Sequence, residues 1–235
     1  MVPCPSAAVH YGVGALFTAP PQSSLHLYLT RHGRTHWNEL GRFQGLTDVP
    51  LDDAGRAQAS QLATALCGRV EAVITSDLLR ASETARIVAD ALAIPLLAAD
   101  PDLRERGYGV FEGLTREQCK ERFPDSWAAR ERERNHEPPG GEPRALVIAR
   151  MQRGLARAVA TLRREQPRSP HAPPGSSGRH ALIVGHGSSL RMFLEALTQA
   201  PVASLANGEY REVRHDGTDF ALVSRRGQAQ YDSHT

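Results

Sequence analysis

The chain lacks paired cysteines: Cys4, Cys67 and Cys119 stand far apart and form no CxxC. That spacing argues against a disulfide framework and points to reduced thiols in a cytosolic, cytoplasmic setting. Cys67 closes an amphipathic stretch and is expected in the core. Long apolar runs are also missing, so no segment is suited to crossing a bilayer. Neither sign of charge is in large excess: 28 Lys and Arg face 26 Asp and Glu, a formal net charge of +2. Nothing in that balance calls for nucleic acid or a membrane as partner. There is no Walker motif, and Gly12 and Gly14 form a lone GxG with no strand before it, which argues against a nucleotide loop. No internal repeat is visible. Residues 1–24 hold no Lys or Arg and so lack the charged start of a signal peptide. They are expected to form a flexible extension.

What is present is an alternation of strand and helix over 235 residues, enough for one sizeable α/β domain. Strands are expected at 25–30, 71–75, 94–98, 181–184, 210–214 and 220–224, the last two joined around the Asp216-Gly217 turn signal. Helices are expected from the Asp52 cap to Gly68, and at 78–92, 114–134 and 142–164, with a last one starting at Ser188. The domain is placed at 25–226, with a Pro-rich flexible loop at 166–179 and a tail at 227–235. The expected fold is a three-layer αβα sandwich with a mostly parallel central sheet.

Two of these strands end in histidine. Leu27-Tyr28-Leu29-Thr30 runs into Arg31-His32-Gly33, and Ala181-Leu182-Ile183-Val184 runs into Gly185-His186-Gly187. A third strand leads through Ser76-Asp77 to Arg80, in the first turn of a helix. Parallel strands share one C-terminal edge, where open α/β sheets bind ligands, so the three ends are expected to converge. Guanidinium forks pair with phosphate oxygens, and a neutral imidazole can attack phosphorus. Helix N-termini after Asp77 and Gly187 are expected to add N–H donors for the anion. Gly33 is expected to leave room for backbone to approach the ligand.

The segments Arg31 to Asn38 (RHGRTHWN), Arg42 to Leu51 (RFQGLTDVPL), Ser76 to Ala85 (SDLLRASETA), Leu103 to Thr115 (LRERGYGVFEGLT) and Val184 to Arg191 (VGHGSSLR) resemble the histidine phosphatase superfamily, in the family's order. That superfamily includes the cofactor-dependent phosphoglycerate mutases. The resemblance implies that His32 is the nucleophile that becomes phosphohistidine. It implies that Arg31, Arg80 and His186 hold the phosphoryl oxygens, and that Glu105 protonates the leaving oxygen. Asn38, Gln44 and Gly45 match positions that line the pocket. No metal and no cofactor are implied, because arginine and histidine neutralise the charge.

Departures from the pattern bear on the substrate. Mutases carry two adjacent arginines soon after a tryptophan, whereas the stretch here reads Trp127-Ala128-Ala129 with only Arg130 near. The short Pro139-Gly140-Gly141-Glu142 loop resembles the phosphatase branch. The expected activity is a metal-independent phosphomonoesterase acting on phosphate esters of small metabolites. A phosphoglycerate mutase is the alternative, and a non-catalytic phospho-ligand binding protein on the same fold is a third reading. His36, four residues after His32, is read as a rim or surface residue rather than a zinc ligand. His10, His136, His171, His180, His215 and His234 are expected in solvent, the charge run 130–134 is read as a solvated helical face, and Glu112 stands as the substitute acid.

Overall fold

The computed structural model describes residues 24–165 and 178–223. The expected extension up to residue 23, the loop up to residue 177 and the tail lie outside the described residues. In chain order the elements are β1 (Leu25–Arg31), a single helical turn α1 (His36–Glu39), α2 (Asp53–Leu66), β2 (Ala72–Thr75), α3 (Leu79–Leu92) and β3 (Leu96–Ala99). Then come α4 (Arg116–Arg122), α5 (Pro124–Arg132), α6 (Arg144–Arg164), β4 (Arg179–Gly185), α7 (Gly187–Thr198), β5 (Tyr210–His215) and β6 (Phe220–Leu222). Short 3₁₀ turns cover Pro101–Leu103 and Gly109–Phe111.

One six-stranded sheet runs in the order β3-β2-β4-β1-β5-β6. β1, β2, β3 and β4 are parallel, while β5 and β6 close the far edge as an antiparallel hairpin. Strand residues alternate between faces, and that alternation builds two cores. Leu25, Leu27, Leu29, Ile74 and Ile183 meet Met151, Leu155 and Leu162 of α6 and Leu190 and Phe193 of α7. On the opposite face, Tyr28, Val73, Leu182 and Val184 meet Leu62 and Leu66 of α2 and Ala81, Ala85 and Val88 of α3. The result is the expected three-layer αβα sandwich.

A third, smaller cluster lies outside these layers. Phe111, Tyr108 and Cys119 are buried, with Phe43, Leu114, Phe123 and Trp127 packed on them. It forms a cover built from α4, α5 and the preceding loop. The expected helix over 114–134 is two helices, because Pro124 has no N–H to continue α4 and instead starts α5. Asp52 caps α2 as expected, accepting from the Gly55 N–H at 2.7 Å. Cys67 is exposed and Cys119 is the buried cysteine, opposite to the sequence expectation for Cys67. The reason is local: Cys67 follows the last helical residue of α2, past the turn that faces the sheet. His180 and His215 are buried too, because each falls within a strand whose neighbours cover it. No helix among the described residues is long and apolar enough to cross a membrane.

Candidate active site

The C-terminal ends of β1 and β4 lie side by side, with Arg31 opposite Gly185 in the register. The His32 N–H continues this pairing by donating to the Gly185 carbonyl at 3.0 Å. His32 and His186 therefore leave neighbouring strands together, with ring centroids 5.1 Å apart and planes tilted by 58°. Both are buried, at 3% and 0% exposure. His32 Nδ1 lies 2.7 Å from the Gly33 carbonyl oxygen. A carbonyl only accepts, so Nδ1 carries the proton and Nε2 keeps its lone pair. His186 has no hydrogen-bond partner on either ring nitrogen among the described residues.

Two guanidinium groups flank the rings, Arg80 fully buried and Arg31 half-buried. Arg31 donates to the Leu205 carbonyl, and Arg80 to the carbonyls of Gly45 and Thr47, while the Nε of each is buried without a partner among the described residues. Burial pushes the Arg80 guanidinium down to about 10, against the pull of Glu105 and Asp48. Burial pushes both His32 and His186 well below the usual imidazole range, and the positive charge of Arg80 and Arg31 adds to it. Both imidazoles are thus neutral near pH 7. Neutral imidazoles beside guanidinium groups that pair only with carbonyls are suited to a dianionic phosphoryl group.

Glu105 reaches the same space from the loop after the first 3₁₀ turn. Its Oε1 accepts from the N–H groups of Arg106 and Ser189 at 2.8 Å each, and its Oε2 from the Ser188 N–H at 2.9 Å. This corrects one expectation: the first amides of α7 serve Glu105 rather than an incoming anion. At α3, likewise, the Leu78 N–H donates to the Ser76 hydroxyl and the Leu79 N–H to Asp48. Glu112 is occupied elsewhere, accepting from the N–H groups of Leu46, Thr47 and Tyr108 and from the Thr47 hydroxyl. It fastens the loop carrying Gly45 to the loop carrying Glu105, which removes it as a free acid. A side chain at Gly45 would collide with the Glu112 carboxylate, 2.1 Å from where a Cβ would lie.

The remaining expected residues form the rim. Gln44 is buried and donates to the Thr35 hydroxyl at 2.7 Å. Asn38 closes the capping box of α1 and accepts from Asn207. Asn207 also donates to the His32 carbonyl at 2.8 Å, a contact with no sequence signal. Gly33 has a different use from the expected one. Its missing side chain lets the Gly55 carbonyl approach to 2.3 Å from where a Cβ would lie, so it docks α2 rather than a ligand. His36 points away, with its ring 66% exposed and beside Glu39. Among the described residues no group of three His, Cys, Asp or Glu is placed to hold a metal.

Arg130 also departs from its expected place in solvent. Its guanidinium lies 4.9 Å from the Phe43 ring centroid and 5.8 Å from that of Tyr108, whose hydroxyl is 2.5 Å from that of Ser188. α5 thus lowers one cation onto the cover of the site. Beside Arg31 opens a cleft of about 540 Å³ lined by Asn38, Glu39, Arg42, Phe43, Arg116 and Glu117. Its walls carry charge of both signs.

The metal-independent phosphoserine phosphatase of Arabidopsis thaliana is 34% identical over 75% of this chain and 70% of its own. A 2,3-bisphosphoglycerate-dependent phosphoglycerate mutase of Gloeobacter violaceus is 31% identical over 73% of this chain and 74% of its own. The chain spans only 44% of another relative, a bifunctional protein of Mycobacterium tuberculosis. Among solved structures, the mycobacterial glucosyl-3-phosphoglycerate phosphatase complexed with VO3 superposes with a TM-score of 0.69 at 27% identity, covering 86% of this chain and 97% of that one. Residues 27–226 match the histidine phosphatase superfamily (branch 1), and the chain belongs to that family.

Proposed function

We propose that the protein is a metal-independent phosphomonoesterase that works through a phosphohistidine. The observation that carries the reading is the His32 ring: Nδ1–H is spent on the Gly33 carbonyl, and Nε2 is left with its lone pair beside half-buried Arg31 and buried Arg80. In the first step Nε2 attacks phosphorus, the bond to the ester oxygen breaks, and Glu105 gives that oxygen its proton. Arg31, Arg80 and His186 hold the equatorial oxygens as charge spreads over them. In the second step water attacks the phosphohistidine, its proton passes to the Glu105 carboxylate, and the P–N bond breaks to release phosphate and neutral His32. Oε2 of Glu105 accepts a single N–H, so it retains a lone pair for this exchange.

The cleft beside Arg31 supports a small, polar alcohol as leaving group, since Arg42, Arg116, Glu39 and Glu117 line it. Free Cys67 and Cys119 fit a cytoplasmic setting. A mutase is the second reading, favoured by Arg130 over the Tyr108 ring and by the mutase relative. Against it stands the single arginine, where mutases carry an adjacent pair. Incubation with 3-phosphoglycerate and its bisphosphorylated primer in EDTA separates them. Inorganic phosphate is the expected main product. Faster formation of 2-phosphoglycerate makes it a mutase, and activity that needs an added divalent ion refutes the metal-independent reading.

A further inference from the structure

We propose that Arg150 of α6 is a positioning residue for Glu105, setting the carboxyl's aim at the leaving oxygen. The proposal rests on Glu105 as general acid and adds to it the group that holds the acid's backbone. All five N–H donors of the Arg150 guanidinium are engaged. Nε donates to Glu142 Oε1 at 2.7 Å, and Nη2 to Glu142 Oε2 at 2.8 Å. The other Nη2 hydrogen reaches the Glu105 carbonyl at 2.9 Å. Nη1 donates to the carbonyls of Asp102 and Arg104, at 3.0 and 2.6 Å. A guanidinium has five N–H groups in a fixed planar fork, so this set leaves it one orientation.

Those three carbonyls belong to the short segment that ends at the acid. That segment has no ladder of its own, because it runs from within the 3₁₀ turn Pro101–Leu103 into the loop after it. Fixing its carbonyls fixes the Glu105 backbone, from which the side chain reaches to α7. Glu142 makes the hold two-sided. Its N–H donates to the Gly107 carbonyl, its carbonyl accepts from Arg106 Nε, and its Oε2 accepts from the Gly107 N–H. The acid is therefore held at its carboxylate by α7 and at its backbone by the Arg150–Glu142 pair, on either side of the residue. A shift of the backbone by a fraction of an ångström would carry the carboxyl off the leaving oxygen. General acids lose effect when misplaced on that scale. The pair is largely shielded, with side-chain exposures of 11% and 23%, so water does not readily replace its bonds.

Arg150→Lys keeps the charge and stem but offers three donors from one point. Two substrates read the effect: an alkyl phosphate, whose departing alkoxide needs the proton, and 4-nitrophenyl phosphate, whose phenolate does not. Arg150→Lys is expected to lower kcat/KM for the alkyl ester by about 10- to 100-fold, and for the nitrophenyl ester by less than about threefold. In a Glu105→Gln background the same change is expected to cost the alkyl ester no more than about twofold, since the acid it aims is gone. Equal losses on both esters, or losses that multiply with Glu105→Gln, overturn the proposal and make Arg150 a fold residue only. Glu142→Gln, which keeps one acceptor for Arg150, carries the same test if Arg150→Lys does not fold. The underlying reading fails separately: Glu105→Gln alone would then slow both esters equally.

Discussion

β1 and β4 carry two histidine pairs, one at each end, and the comparison separates what burial does from what chemistry needs. At the C-terminal end His32 and His186 sit 5.1 Å apart. At the N-terminal end His26 and His180, paired in register, stack at 4.5 Å with planes 9° apart. Close rings are common to both ends, and so is burial except at His26, which is half-buried. The surroundings differ. His26 donates to Glu212 at 2.7 Å and Arg69 lies over the Tyr28 and Tyr210 rings, so a carboxylate faces the N-terminal pair, although neither ring nitrogen of His180 has a hydrogen-bond partner among the described residues, as for His186. Burial lowers the His180 pKa, as does His26, while Glu212 and Glu71 oppose them. The C-terminal pair faces Arg31 and Arg80, with buried N–H donors that no described protein group accepts. It also stands where the loops of the sheet edge bring in Glu105 and the cover. A histidine pair becomes a candidate site through the cations and loops that converge on it.

The sharpest way to break that comparison is to remove one histidine from each end. His32→Ala is expected to reduce turnover to background, by at least about 10³-fold, with the fold retained. His26→Ala and His180→Ala are expected to leave kcat within about twofold and to cost about 1–2 kcal/mol of stability, read by denaturant titration. A large kcat loss at the N-terminal pair would erase the distinction.

A smaller effect comes from pH. The C-terminal histidines stay neutral when folded, but in the unfolded chain each binds a proton near pH 6.5. Their contribution to stability is therefore complete well above pH 6.5. It is lost as pH falls from there toward their depressed folded values, by up to about 1.4 kcal/mol per pH unit for each ring. The melting temperature should decline below about pH 6.5, and His186→Asn should flatten that decline. The acid limb of kcat/KM should lie below 6.5, because His32 remains a free base there. A limb above 6.5 contradicts the buried, cation-flanked ring.

Much of the site is legible in the sequence because its residues sit at strand ends with short motifs around them. Arg31, His32 and His186 follow from the sheet edge alone, and Arg80 from the helix after β2. Arg150 and Glu142 leave no such mark. They act on backbone groups, which carry no sequence identity, and lie 35 to 48 residues from their partners in the segment they hold. Arg130 reads as part of a charged run because its target rings, Phe43 and Tyr108, are far away in sequence. His180 reads as a surface residue because the rings that cover it, His26 and Tyr28, lie on a strand far away in sequence. The break at Pro124 follows from proline's missing N–H, and the charged residues on both sides make the stretch read as one helix.

The most direct measurement is a rapid-quench experiment with a ³²P-labelled phosphate ester, followed by peptide mapping. His32 as nucleophile predicts an acid-labile, base-stable phosphoenzyme on the peptide carrying His32, formed by the wild type and by Glu105→Gln and absent from His32→Ala. Label on His186, or hydrolysis with no phosphoenzyme under conditions that would trap one, contradicts it.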